Sequence, residues 1–336
     1  MTEKIRALSV ISGGLDSILA TRIVMDEGVD VTAVHFFSPF FGSGPGAGLD
    51  SVSQRMSERY GIRAISIDIA DSYIKMLALP QYGYGKNFNP CVDCKILLFS
   101  TARMMMEEFG AGFIVTGEVI GQRPMSQRRD TLRIIERDSS TAGLLLRPLS
   151  AKLLKPTLPE LNGWVKREKL FGFAGRSRKP QIELASRLGI TGYPAPAGGC
   201  CLTDPIQSKR IRRLYQMKER LQAREAKLIQ IGRPFFLGGD AILTVGRNEE
   251  ENERINDLAC NGDLFLKIVD LPGPLGVIIG SPTEEQVIRG MAIVAYYSKG
   301  RAMPKVSVGA GDRASPLQTV RDVIPADEQD IEEMKF

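Results

Sequence analysis

The sequence predicts an α/β protein, a parallel sheet with helices on both faces, followed by a smaller α+β domain. Three observations predict it. Short apolar runs alternate with helical patterns through the first half. A Gly-Gly turn joins the first run to the first helical pattern at residues 12–17. After Pro205 the composition turns basic, and strand–turn–helix order then resumes. A chain of 336 residues carries a soft prior of about two domains.

In order, the strand patterns of the first half are residues 7–11, 31–36, 64–69 and 113–116, with helical patterns at 15–27, 52–60 and 95–109. The first helix is supported by Leu15, Ile18, Leu19 and Ile23, which fall on one face. Residues 41–48, rich in glycine, follow the second strand. They line a pocket at the carboxyl ends of the strands or serve as a plain linker. Residues 208–228 carry eight Lys and Arg against Glu219 and Glu225, with a sparse apolar face, and read as one basic amphipathic helix. Such a helix can follow an RNA backbone or act as a solvated connector. Beyond residue 232 come strands at 241–245, 263–269 and 305–308 and helices from Asn248, a candidate cap, and at 287–298. The last residues, 326–336, are largely acidic and read as a mobile tail.

Composition narrows the function classes. Hydrophobic content of 43% and charged content of 25% are ordinary for a globular protein, and a net charge of +5 permits an anionic partner such as RNA. No apolar run approaches the roughly twenty residues of a membrane span, and no secretory signal is recognisable. A reducing cytoplasm is therefore the expected compartment, and the five cysteines are not expected to form a disulfide framework. With a single histidine, His-based zinc fingers and H-E-x-x-H sites are excluded. His35, near the end of the second strand, reads as a residue beside a nucleotide pocket, not a catalyst.

The chemistry concentrates in two places. In Ser12-Gly13-Gly14-Leu15-Asp16-Ser17 a strand delivers a tight turn and a helix begins at once, so free N–H groups and two hydroxyls converge as a nest for phosphate. The plainer reading is a Gly-Gly turn with capping residues. No Walker-type G-x-x-x-x-G-K-[ST] occurs. The second place is Cys91-Val92-Asp93-Cys94, read as lying just before a helix, with Cys200-Cys201 far downstream. A helix N-terminus favours thiolates there. Adjacent cysteines do not readily share one small metal, so three ligands and one open position is the sharper reading. A structural zinc half-site and inert buried thiols are the alternatives. Arg176, Arg178 and Lys179 are candidate phosphate contacts or a solvated basic turn. Lys152 and Lys155 give a weaker signal of the same kind.

The hexapeptide resembles the S-G-G-x-D-S loop of the N-type ATP pyrophosphatases, the PP-loop enzymes, whose fold is of the adenine nucleotide alpha hydrolase type. With Cys91, Cys94, the turn Val115-Thr116-Gly117-Glu118, the following 121–127, Gly175 to Lys179 and Gly198-Gly199-Cys200, the match is to tRNA sulfurtransferases like 4-thiouridine synthetase or 2-thiouridylase, over about residues 5–205. The late motif of that branch usually has a leucine where Cys201 stands. The resemblance implies ATP and Mg2+ at Ser12, Gly13, Gly14, Asp16, Ser17, His35 and Gly117. It implies a 4Fe–4S cluster on Cys91, Cys94 and Cys200, with Asp16 and Cys200 catalytic. No rhodanese-like or THUMP-like region is recognisable. Val245-Gly246-Arg247-Asn248, Pro272-Gly273-Pro274 and residues 295–299 resemble the NFACT-type RNA-binding domain over about 232–312, with Arg247, Lys299 and Arg301 as contact candidates.

The expected organisation is a PP-loop domain at 1–206, a basic helical linker at 207–231, an NFACT-like domain at 232–325 and an acidic tail. The expected activity is ATP-dependent thiolation of a tRNA uridine, with tRNA and an unidentified sulfur donor as partners and a homodimer as one admissible assembly. The rivals are a PP-loop ligase or amidotransferase acting on a small molecule, and a non-catalytic RNA- or ribosome-binding factor.

Overall fold

A computed structural model describes residues 4–42, 51–195, 199–315 and 317–336. The 41–48 loop beyond Gly42 and Pro196, Ala197 and Gly198 of the late cysteine motif lie outside the described residues. The chain forms two compact units, Met1–Thr203 and Asp204–Phe336.

The first unit runs β1 (Arg6–Ile11), α1 (Leu15–Met25), β2 (Asp30–Phe37), α2 (Ser51–Tyr60), β3 (Ala64–Asp68), α3 (Ala70–Ala78), α4 (Cys91–Met105), β4 (Phe113–Thr116), α5 (Arg129–Asp138), β5 (Leu145–Leu146), α6 (Leu158–Leu161) and α7 (Lys179–Arg187). Its sheet has the order β3-β2-β1-β4-β5, parallel throughout. Buried on both faces, the central strands are nearly continuous apolar runs: Leu8 and Val34 are fully buried, as are Phe113 and Ile114. Each such side chain contributes about 1.5–3 kcal/mol by leaving water. The chain lays down β1, β2 and β3 in one direction, then crosses back to add β4 on the other side of β1. That reversal is a topological switch point, where strand ends leave a crevice for a ligand.

The second unit runs α8 (Pro205–Met217), α9 (Ala223–Leu228), β6 (Arg233–Gly238), β7 (Ala241–Val245), α10 (Glu249–Leu258), β8 (Leu264–Ile268), β9 (Gly276–Ile279), α11 (Glu284–Tyr296), β10 (Val306–Gly311), β11 (Thr319–Val323) and α12 (Glu328–Met334). Its strands pair antiparallel in the order β11-β10-β8-β9-β7-β6. Helix α11 starts at a capping box on Thr283 and Gln286, and buries Met291, Ile293, Val294 and Ala295 against the sheet. The approach is close at Gly276, where a Cβ would stand 2.7 Å from Val294 Cγ2.

Three expectations change. The basic helix is two helices, because Lys218 leaves helical geometry and Gln222 and Glu225 form a capping box that starts α9. Lys218 Nζ then pairs with Glu225 at 2.5 Å. The acidic tail is ordered: Asp327 caps α12 through the Asp330 N–H, Ile331 is buried, and Lys335 bridges Phe235 of β6. The cysteine motif lies inside the first turn of α4, since the helix begins at Cys91 directly after Pro90.

Candidate nucleotide and cysteine site

Strand register assembles the first half of the site. Val10 pairs with Thr116 and Ile11 with His35, so the turns after β1 and β4 leave the sheet side by side, with His35 flanking them. Gly13 takes φ +74°, the left-handed conformation glycine adopts without steric cost. Gly14 begins α1 without a side-chain cap, which leaves the first turn open to a ligand. Ser17 Oγ donates to the Gly14 carbonyl at 2.8 Å and accepts from the Ser12 N–H at 3.4 Å, closing the loop on itself. Its hydroxyl is therefore engaged within the loop, while the Ser12 side chain is exposed.

Gly117 lies against this loop. A Cβ there would stand 2.5 Å from the Asp16 carbonyl group and the Ser17 nitrogen. The close approach that requires glycine is thus to the α1 backbone.

Asp16 is held from one side. Gln122 Nε2 donates to its Oδ2 at 2.6 Å, and Gln181 Nε2, fully buried, donates to Gln122 Oε1 at 2.9 Å. Arg178 Nη2 stands 3.9 Å from the same Oδ2. Oδ1 is buried with no hydrogen-bond partner among the described residues. An unpartnered carboxylate oxygen beside a phosphate-type loop fits a hard cation such as Mg2+. Sequence reasoning missed Gln122 and Gln181 as supports of Asp16, because glutamine at those spacings carries no signal. It also missed Arg55 of α2, whose Nη2 would meet a Cβ on Gly13 at 3.0 Å.

His35 is 3% exposed, and burial, with the Arg55 charge beside it, lowers its pKa to about 4. It is a neutral imidazole near pH 7, with Nδ1 3.5 Å from Ser66 Oγ.

The second half of the site gathers the three expected cysteines. The three lie near enough that a thiolate on one would disfavour a second charge at Cys94 or Cys200. Asn87 Nδ2 donates to the Thr203 carbonyl at 2.6 Å, tying the segment before α4 to the one carrying Cys200. The Cys200 carbonyl accepts from Thr203 N and Oγ1 at 2.9 and 2.7 Å, while the Cys201 N–H donates to the Phe40 carbonyl at 3.3 Å. Asn89 Nδ2 donates to Cys91 Sγ at 3.2 Å, and the buried Tyr73 bonds Cys94. Asp93 is not available as a ligand, since its oxygens accept the Gln81 and Tyr82 N–H groups.

The expected thiolates are not what the environment favours. Burial pushes Cys94 up to about 12 and raises Cys200, outweighing Lys95 and the local N–H groups. Among the described residues no group of three or more His, Cys, Asp or Glu is poised around a single metal ion. The donor set is soft, three thiols from two segments, and it fits an iron–sulfur cluster, whose corners stand apart, better than one small cation. The two halves meet at Glu118, next to Gly117: it lies 3.8 Å from Lys95, the neighbour of Cys94, and accepts from Arg147 Nε at 3.0 Å.

Fold and site together give a parallel-sheet α/β domain with a Gly-Gly turn opening α1 and cysteines from two segments nearby, joined in one chain to an antiparallel-sheet domain. Residues 3–152 of the first unit match the family model described as thiamine biosynthesis protein (ThiI), and residues 232–335 of the second match the model described as NFACT protein RNA binding domain. The first match is shorter than the resemblance read from the sequence and ends before Cys200. The second includes α12. A probable tRNA sulfurtransferase of Lysinibacillus sphaericus (strain C3-41) is 31% identical over 151 residues, 43% of this chain and 34% of the relative. One of Staphylococcus aureus (strain MRSA252) is 34% identical with the same coverage. The chain thus spans about a third of the length of the curated relatives it matches. Among solved structures, a 4-thiouridine synthetase–RNA complex with bound ATP aligns with TM-score 0.35 and 22% identity, over 54% of this chain and 41% of that one. The C-terminal part of a fibronectin/fibrinogen-binding protein from Streptococcus suis aligns with TM-score 0.29 and 16% identity, over 73% and 89%. No helix among the described residues is long and apolar enough to cross a membrane.

Proposed function

We propose that the chain is an ATP-dependent tRNA thiolase of the reducing cytoplasm. The observation that carries this reading is the open first turn of α1 beside the unpartnered Asp16 Oδ1, linked through Glu118 and Lys95 to the three cysteines. The Ser12–Ser17 loop holds the ATP phosphates by its N–H groups, and Asp16 would hold Mg2+. A uridine carbonyl oxygen attacks the α-phosphorus, the bond to pyrophosphate breaks, and the loop's N–H groups and helix end stabilise the charge that leaves. A hydrosulfide equivalent then adds to the activated carbon, the carbon–oxygen bond breaks, and AMP departs with the original oxygen. A 4Fe–4S cluster on Cys91, Cys94 and Cys200 would leave one iron without a protein ligand, a place to bind inorganic sulfide. Tyr73 and Asn89 orient the thiols. The antiparallel-sheet unit holds the tRNA by shape and phosphate, with Arg247, Lys299 and Arg301 as contacts. Arg301 is stacked over Tyr296 at 4.0 Å and paired with Glu328 at 2.7 Å.

Pyrophosphate release by the purified chain tests the reading. It should be stimulated by tRNA and not by small amides. Stimulation by a small amide favours the small-molecule ligase, and no ATP turnover at all favours the non-catalytic RNA-binding factor.

A further inference from the structure

We infer that the first unit carries a second anion site, for a phosphate group, in a cavity between α5 and the segment that follows β5. The cavity holds about 450 Å³, within the range of small-ligand pockets. Four cationic side chains line it: Arg129, Arg133, Arg147 and Lys155. The two carboxylates in its wall are already held, Glu136 by Arg147 and Glu160 by Arg167 together with the Thr157 N–H and hydroxyl. Arg129 donates from Nη1 to the Leu153 carbonyl at 2.7 Å and forms no ion pair among the described residues. Neither do the exposed Arg133 and Lys155, so three cationic residues line one cavity with no ion pair of their own among the described residues.

Arg147 supplies the independent observation. Its side chain is 1% exposed, and its Nη2 is buried with no hydrogen-bond partner among the described residues. A buried guanidinium donor left unmatched is unfavourable, and an oxyanion in the adjacent cavity would offset that. A cavity lined by three arginines and a lysine together with leucines suits a group with several acceptor oxygens, which phosphate provides. Arg147 also holds Glu118, so this site lies one side chain from the Gly117 turn. The site is separate from the Ser12–Ser17 loop and does not rest on the thiolation reading.

The test is calorimetric titration of the full chain with three probes: inorganic phosphate, UMP, and an oligouridylate without terminal phosphates. Each titration is run with and without a non-hydrolysable ATP analogue filling the loop. The expected result is a phosphate-binding event that persists when the loop is filled and weakens roughly tenfold or more in Arg133→Ala/Lys155→Ala. Arg133→Lys/Lys155→Arg should restore it. A loss confined to UMP and inorganic phosphate identifies a free phosphate ligand, and a loss confined to the oligouridylate an RNA backbone phosphate. Either supports the site. Equal binding of all three probes by wild type and the alanine variant, or no binding once the loop is filled, overturns it. Failure of the analogue itself to bind would contradict the adenylation reading and leave the comparison between variants intact.

Discussion

Single side chains and single hydrogens decide the nucleotide half of the site. A methyl group on Gly117 would enter the Asp16–Ser17 backbone at 2.5 Å, whereas one on Gly14 meets only Ser12 Oγ at 3.5 Å, at an ordinary φ of −87°. Gly117→Ala should therefore cost about 1–3 kcal/mol of stability and abolish nucleotide binding. Gly14→Ala should cost under about 1 kcal/mol, and thermal unfolding with and without ATP distinguishes the two. His35 makes a pH prediction. Its folded pKa of about 4 lies below the ordinary 6.5, so between those values the unfolded chain binds the extra proton. Stability then falls as pH drops from 6.5 toward 4, by up to about 3 kcal/mol. In His35→Gln that part of the decline should disappear from denaturant titrations across this range. A decline of the same size in the variant would show that His35 is not its source. The turn between β1 and α1 was legible in the sequence, because an apolar run, a Gly-Gly pair and a helical pattern follow one another there. Gln122, Gln181 and Arg55 were not legible, because their roles depend on segments that only the fold brings together.

At the scale of elements, strand register and helix starts place the chemistry. The β1 and β4 strands were visible as apolar runs, but two-residue β5 and the charged α5 were not. A two-residue strand has no periodicity, and α5 carries six charged residues among its ten. The start of α4 was misjudged by one turn, because Pro90 permits helix directly after it. That turn matters, since it puts Cys94 inside the helix, where burial dominates the thiol. The tie between the cysteine segments is the Asn87–Thr203 bond. Asn87→Ala should loosen Cys200 relative to Cys91 and Cys94. Iron and acid-labile sulfide retained after anaerobic reconstitution should drop by about half or more, the scale set by losing one hydrogen bond. Unchanged loading would mean that the two segments are held together by other contacts.

For the molecule as a whole, an α/β unit whose residues 3–152 match the thiamine biosynthesis protein (ThiI) model is joined to a unit that matches an RNA-binding domain. The two compact units divide between Thr203 and Asp204, close to where the composition turns basic. The order of the last ten residues was not legible, since a short acidic stretch gives no sign that Ile331 and Lys335 will pack onto a sheet. We propose that the chain replaces a tRNA oxygen by sulfur. The most direct measurement of this is nucleoside mass spectrometry of bulk tRNA from the source organism with and without this gene, using Cys200→Ala as the complementation control. The expected result is loss of one thionucleoside, restored by the wild-type chain and not by the variant. An unchanged thionucleoside profile, or full restoration by Cys200→Ala, would contradict it.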